Sequence, residues 1–225
     1  DVARLKDYVE LSRRQQLTGD LGEPKFETNG LPYTGPWGRP QTDGPALRAI
    51  TLSRLAVSLL ADGEQRYVRE KLYDGALPTR SVIKADLEYV AHRWRDASFD
   101  LWEEVSGTHF YTRAVQRRAL LDGAALARQL GDDGAARFYL EQATRIRVEL
   151  ERHWDSSKGY IVATLNHHDG DRGKHSNLDA AVVLAVLHGG APDDEFLSPA
   201  NPNILATFEA LRAAFAKLYP INARA

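Results

Sequence analysis

Three carboxylates and an indole fall within five consecutive residues, Asp100-Leu101-Trp102-Glu103-Glu104. Adjacent side chains diverge, so Glu103 and Glu104 are expected to do different jobs. A carboxyl beside an aromatic ring and near a second carboxylate loses solvation and feels like-charge repulsion. Both effects raise its pKa toward the range in which a general acid operates, and a protonated glutamate placed there could donate to a glycosidic oxygen. The blander reading is a solvated glutamate pair at a helix entry, stabilised by the positive end of the helix dipole. A second set, Tyr33 and Trp37 with Arg39, Gln41 and Asp43, lies in a Gly/Pro-rich stretch. Flat aromatic faces and fixed polar groups suit a sugar ring, which offers a C–H face and a rim of hydroxyls, although loop aromatics also commonly pack down on a core. A third set, Asn166-His167-His168-Asp169 with Asp171 and His175, has metal-ligand residue types. Its order fits no common zinc pattern and Gly170 and Gly173 mark a flexible turn, so a solvated loop and no metal are expected. His92 and His153 fall on helices with charged neighbours and are expected at the surface. Ser106, Ser156 and Ser157 have no His/Asp arrangement readable nearby, which gives a serine hydrolase little support.

The elements that must position these groups are helical. Val2, Leu5 and Val9 recur at helix spacing up to about Gln16, where Gly19, Gly22 and Pro24 stop the pattern. Residues 21–45 hold too many glycines and prolines for a regular element and read as a long loop, which Phe26, Tyr33 and Trp37 argue is ordered. From Ala46 to Ala61 only a narrow stripe, Arg48, Thr51, Arg54 and Ser58, is polar, as in a mostly buried helix. Leu87, Val90, Ala91 and Trp94 instead form one apolar face and predict an external helix. The acidic cluster connects that helix to one spanning about Phe110 to Leu130. An amphipathic helix follows, with Tyr139, Ala143, Ile146, Leu150 and Trp154 on one face. After a short extended piece, Tyr160 to Leu165, Leu178 to Leu187 is apolar on all sides, and Ile204, Phe208, Leu211, Phe215 and Leu218 mark a final one-faced helix. Buried and half-exposed helices alternate, as when helical hairpins pack into an inner and an outer layer, so the expected fold is all-α and part of an α/α toroid. An irregular bundle is the alternative.

At 225 residues, 43% of them hydrophobic, the chain is long enough for one sizeable core. A net charge of −2 gives no field favouring nucleic acid or an anionic membrane, so neither is an expected partner. The absence of cysteine excludes disulfides, a thiol nucleophile and a Cys-ligated metal. The apolar stretch around Ala180 to Leu187 is far short of the roughly 20 residues of a membrane span. The opening residues DVARLKDYVE have no apolar signal core, so a targeting segment is expected to be absent or removed. With no methionine anywhere, the 225 residues need not be the whole gene product.

LGEPKF at Leu21–Phe26, YTGPWGRPQTDGPALRA at Tyr33–Ala49 and DLWEEVSGTHFYTRAVQRRAL at Asp100–Leu120, in that order and spacing, resemble the glucoamylases of glycoside hydrolase family fifteen. RGKHSN at Arg172–Asn177 and LYPIN at Leu218–Asn222 are looser matches. The resemblance implies an (α/α)6 toroid with a funnel-shaped site. It also implies inverting removal of β-glucose from non-reducing ends of α-1,4-linked glucans, with an α-glucan or malto-oligosaccharide as substrate and no metal or organic cofactor. Within DLWEEV it makes Glu103 the general acid, Trp102 and Glu104 substrate-binding residues and Asp100 a supporting carboxylate. Within YTGPWGRPQ it makes Trp37 the tryptophan near the acid, with Tyr33 and Gly38 touching substrate. Family members are commonly exported, which implies a secreted or periplasmic protein.

The resemblance also leaves parts unmatched. The family's general base lies in a downstream Glu-Gln segment that is absent here, and neither Glu195, in a Pro/Asp-rich loop, nor Glu209, on the last helix, replaces it convincingly. The family's Arg-Asp substrate clamp and later arginine-containing loop have no counterpart either. About seven or eight helices are expected where a complete toroid needs twelve, so residues 1–225 read as a partial catalytic domain, with a completing chain or segment as a partner. The alternatives are an incompetent module that binds α-glucan or a partner protein, and a glucodextranase-like or trehalose-cleaving relative.

Overall fold

The computed structural model describes residues 2–171, 173–219 and 221 of the chain. Arg172 and Asn222, each an end of one loosely matching segment, lie outside the described residues, as does Pro220. The helices run α1 Val2–Thr18, α2 Asp43–Ala61, α3 Gln65–Tyr67, α4 Val82–Arg93, α5 Phe110–Gln129, α6 Asp133–Glu151, α7 Ala181–Gly189 and α8 Pro202–Leu218, with a wider turn at Val68–Leu72 continuing α3. Five short strands interrupt them: β1 Ser98–Phe99, β2 Val105–His109, β3 Trp154–Asp155, β4 Tyr160–Ile161 and β5 Thr164–Gly170. All pairings are antiparallel, in the order β1-β2-β5 and β3-β4.

Local chemistry sets several boundaries. The Asp132 carboxylate accepts from the Ala135 amide to start α6, and Asn201 accepts from the Asn203 amide ahead of Pro202 to start α8. The core centres on α5, which packs against α2, α6 and α7. Ala114, Val115, Ala119, Leu120 and Leu126 of α5 are buried, as are Ala46, Ala49, Leu52 and Leu59 of α2. By length and composition α2 is apolar enough to cross a membrane, yet half of that window is buried inside the fold, as in the core helix it forms here. At Gly189 a Cβ would stand 3.0 Å from the Ala114 backbone, so glycine permits the close approach of α7 to α5.

Four expectations change. Helix α4 is not external: Val82 to Leu87 are buried without interruption, including Lys84 and Asp86. Those charges are partnered. Arg48 of α2 clamps Asp86 through two hydrogen bonds of 2.7 and 2.6 Å, and Lys84 donates to Asp132 at 2.7 Å. Tyr73 also donates to Asp132, at 2.9 Å, and Tyr139 donates to Glu88, 3.3 Å from Lys84. Helix α7 buries one side only, Leu187 being exposed. His153 is fully buried, with Nδ1 2.8 Å from the Val162 carbonyl and the ring edge-on to Phe110; burial pushes its pKa down to about 4, so the neutral ring donates through Nδ1–H. The stretch Asn166 to Asp169 is not a flexible turn but lies in β5, paired along β2.

Breaking a buried ion pair strands its partner at a cost of about 3–5 kcal/mol. Asp86→Ala is therefore expected to destabilise the fold by about that amount in urea unfolding. A loss below about 1 kcal/mol would show that Arg48 does not depend on this partner.

Candidate active site

The acidic cluster closes a β-hairpin between β1 and β2 and is not a helix entry, because α5 starts only at Phe110. Asp100 builds the turn. Its buried carboxylate accepts from the amides of Glu104 at 2.8 Å and Val105 at 2.9 Å, while the Glu103 amide donates to its carbonyl at 2.9 Å. These bonds hold Glu103 at φ +65°, a left-handed conformation that costs a non-glycine residue about 1–2 kcal/mol. Such strain persists where surroundings over-determine it, and functional sites concentrate it. The desolvation expected beside the indole is not found: the Glu103 side chain is exposed.

The loop of residues 19–42 docks on this hairpin. Phe99 N–H donates to Pro40 O at 2.9 Å and Thr42 N–H to Ser98 Oγ at 3.0 Å. A Cβ at Gly38 would lie 2.8 Å from the Phe99 ring, so glycine is what lets the loop lie flat there. Arg39 staples the loop internally, donating to Glu23 at 2.7 Å, to Gly35 O at 3.1 Å and to Tyr33 O. Tyr33 and Trp37 meet edge-on at 6.0 Å, and Lys25 from LGEPKF places its ammonium 4.1 and 3.6 Å from their centroids. This cation–π contact ties two of the quoted segments together. Where the loop ends, Asp43 opens α2, nearly buried. Burial pushes its pKa up to about 6, hydrogen bonds from the amides of Asp43 and Gly44 oppose the rise, and the charges of Asp100 and Glu103 add to it.

On the other side of the hairpin, Trp102 Nε1–H donates to Asp179 Oδ1 at 2.8 Å. Lys174 forms an ion pair with Glu104 and lies 3.6 Å from Asp179 and 3.8 Å from Asp100. Asp100, Trp102, Lys174 and Asp179 border a cavity of about 130 Å³ whose walls also include His109 and Tyr111. His109 is buried and burial pushes its pKa down, so it is neutral. Its Nε2 lies 2.7 Å from Ser98 O and its Nδ1 2.9 Å from Thr164 Oγ1, which assigns the proton to Nε2 and makes Nδ1 the acceptor of the threonine hydroxyl. The wall is thus a fixed array of carboxylate, ammonium, phenol and indole groups, the chemistry that orients hydroxyls around a ring.

Asp100 and Trp102 line the cavity, Glu104 reaches it through Lys174, and Glu103 shares the electrostatic neighbourhood of Asp43 and Asp100. Tyr33, Trp37 and Gly38 belong to the docked loop and are not among the cavity's lining residues. Glu195 is exposed, and Glu209 is exposed and paired with Arg212 at 2.8 Å within α8. Lys25, Lys174, Asp179 and His109 were not singled out by sequence reasoning; Lys25, His109 and Lys174 each lie inside a quoted segment, which is the signal that could have found them, whereas Asp179 lies outside all of them. Among the described residues no three His, Asp or Glu side chains are grouped to hold a metal ion.

The family described as Glycosyl hydrolases family 15 matches residues 2–225. The chain is 46% identical over 203 residues to a glucoamylase of Blastobotrys adeninivorans, covering 89% of this chain and 32% of that protein. It is 42% identical over 223 residues to glucoamylase 1 of Rhizopus oryzae, covering 97% and 35%. Among solved structures, the family 15 glucoamylase of Hypocrea jecorina superposes with a TM-score of 0.85 at 34% identity, over 97% of this chain and 37% of that one. The glucoamylase of Saccharomycopsis fibuligera gives 0.81 at 30%, over 96% and 48%. The chain thus spans about a third of the length of the curated relatives named, and its all-α architecture is part of an (α/α)6 toroid.

Asp43 yields a test of the site's electrostatics. An acid whose pKa is higher in the folded chain stabilises it below its unfolded pKa, near 3.8, and loses that contribution as the pH rises through about 6. Asp43→Asn removes the penalty of the buried charge and is expected to stabilise the chain by about 2–3 kcal/mol at pH 8, with little change near pH 3.5. Urea unfolding at both pH values measures this, and a gain of equal size at both would contradict the assignment.

Proposed function

The chain belongs to family 15 of the glycosyl hydrolases, and from that premise we propose that it carries the proton-donating side of an inverting exo-glucosidase acting on α-1,4-linked glucans. The family match over residues 2–225, with the DLWEEV hairpin inside it, carries this reading. Glu103 is the general acid. Held in its strained turn by Asp100, it projects into solvent where a glycosidic oxygen can reach it, and its proton passes to that oxygen as the bond to the anomeric carbon breaks. Trp102 and Glu104 bind the sugar beside it, Tyr33, Trp37 and Gly38 form the neighbouring wall, and Asp100 supports the acid through the turn.

Inversion requires a second carboxylate acting as base on water, roughly 6.5–9.5 Å from the acid, on the opposite face of the sugar. Asp43 and Asp100 share the acid's own electrostatic neighbourhood, Asp100 being committed to the turn, and Glu209 is paired with Arg212 on α8. We therefore propose that residues 1–225 are one part of the catalytic domain and that the base comes from further polypeptide. Starch-like glucans or malto-oligosaccharides are the proposed substrates and β-glucose the product.

A positioned general acid contributes about 10²–10⁴ in rate. In protein expressed from the complete open reading frame, Glu103→Gln is expected to lower glucose release from maltotriose by about that factor, while maltotriose binding stays within about threefold. Undiminished turnover would refute the role of Glu103.

A further inference from the structure

One ammonium joins two segments that the sequence keeps far apart. Lys174 is about 29% exposed and faces three carboxylates, Glu104 and Asp100 on the hairpin turn and Asp179 at the start of α7. Burial opposes its charge, but the hydrogen bond to Glu104 and the charges of Asp179, Asp100 and Glu104 outweigh it and raise its pKa. Asp179 is committed three ways: it faces Lys174, accepts from the Trp102 indole and accepts from the Ala181 amide at 2.7 Å. The main chain adds a clasp, with Asp171 N–H donating to Glu104 O at 2.9 Å. Behind it, Asn177 at φ +55° is fixed by hydrogen bonds to both main-chain groups of Thr164. The two groups that would meet substrate beyond the acid, the Trp102 ring and the Glu104 carboxylate, are thus both oriented by residues 174–179. Without Lys174 the Glu104 carboxylate, about half exposed, would lose its ion-pair partner and with it its fixed direction.

We propose that Lys174, acting with Asp179, is a positioning residue: it latches residues 174–179 onto the hairpin and sets Glu104 and Trp102 for the sugar next to the scissile bond. This deepens the glucosidase reading and rests on it. The latch acts on binding geometry and donates no proton, so its loss weakens substrate binding more than turnover.

The test compares Lys174→Met, Lys174→Arg and Asp179→Asn in protein from the complete open reading frame. Asp179→Asn keeps an acceptor for Trp102 while removing the charge that faces Lys174. Lys174→Met is expected to raise KM for maltotriose about tenfold with kcat within about threefold, Lys174→Arg to restore KM to within about threefold, and Asp179→Asn to shift KM in the same direction. Deuterium uptake over 174–181 is expected to quicken in Lys174→Met and Asp179→Asn and to stay at the wild-type rate in Lys174→Arg. An unchanged KM, a fall in kcat alone, or a Lys174→Arg variant as impaired as Lys174→Met would overturn the latch. If Lys174→Met does not fold, the other two variants decide by the same criteria. If the wild type releases no glucose, the glucosidase reading fails, and deuterium uptake still decides the latch: faster in Lys174→Met supports it, unchanged refutes it.

Discussion

The site depends on one buried carboxylate. Asp100 accepts two amides across the turn and so converts five residues that could have begun a helix into a hairpin. A carboxylate accepting main-chain N–H groups forms charge-assisted hydrogen bonds, roughly twice as strong as neutral ones, which is enough to offset the left-handed backbone at Glu103. The turn in turn fixes which way the neighbouring side chains leave the chain. Glu103 points to solvent, while Glu104 and Trp102 reach Lys174 and Asp179. The divergence of adjacent glutamates thus becomes a division between a free carboxylate and an anchored one.

The hairpin is itself held from three directions. β2 pairs with β5, β1 is tied to the 19–42 loop through Pro40 and Thr42, and His109 at the end of β2 links Ser98 to Thr164. A neutral histidine suits this last position because it can donate at one nitrogen and accept at the other without bringing a charge into the interior. Below it Arg48 of α2 and Lys84 and Asp86 of α4 are satisfied by pairing. Rigidity at the turn therefore comes from the buried Asp100 carboxylate and the buried Ser98–His109–Thr164 link, while the acid that would do chemistry stays accessible.

Motif and spacing made the segments legible, and one-faced helices such as α6 could be read because their apolar residues recur every three or four positions. What could not be read was the pairing of charges over long separations. Lys84 and Asp86 look like solvent markers until Asp132, 48 residues away, and Arg48, 38 residues away, arrive as partners. His153 was hidden differently: it is a neutral ring whose acceptor, the Val162 carbonyl nine residues on, is brought back by the β3-β4 pairing. The hairpin carried no strand signal, since β1 has only two residues and β2 finds its second partner in the distant β5. Lys174 was hidden because a lysine in a polar loop gains meaning only beside the carboxylates that meet it.

Apolar exposure is distributed in a way that bears on the rest of the catalytic proposal. Helices α2 and α5 hide most of their apolar side chains against each other and their neighbours, whereas Leu5 and Leu11 of α1, Leu187 of α7, and Leu205 and Phe215 of α8 remain exposed. An inner layer of helices buries both flanks only when each helix has neighbours on both sides, so a run of helices leaves such faces at α1, α7 and α8 while a closed ring does not. This chain covers 37–48% of the length of the solved relatives named, and an inverting mechanism puts the proposed base on the face of the sugar opposite the acid. On the proposed reading, layer closure and the second carboxylate become one requirement: helices covering these faces would be placed to bring the base to the side of the sugar opposite the acid.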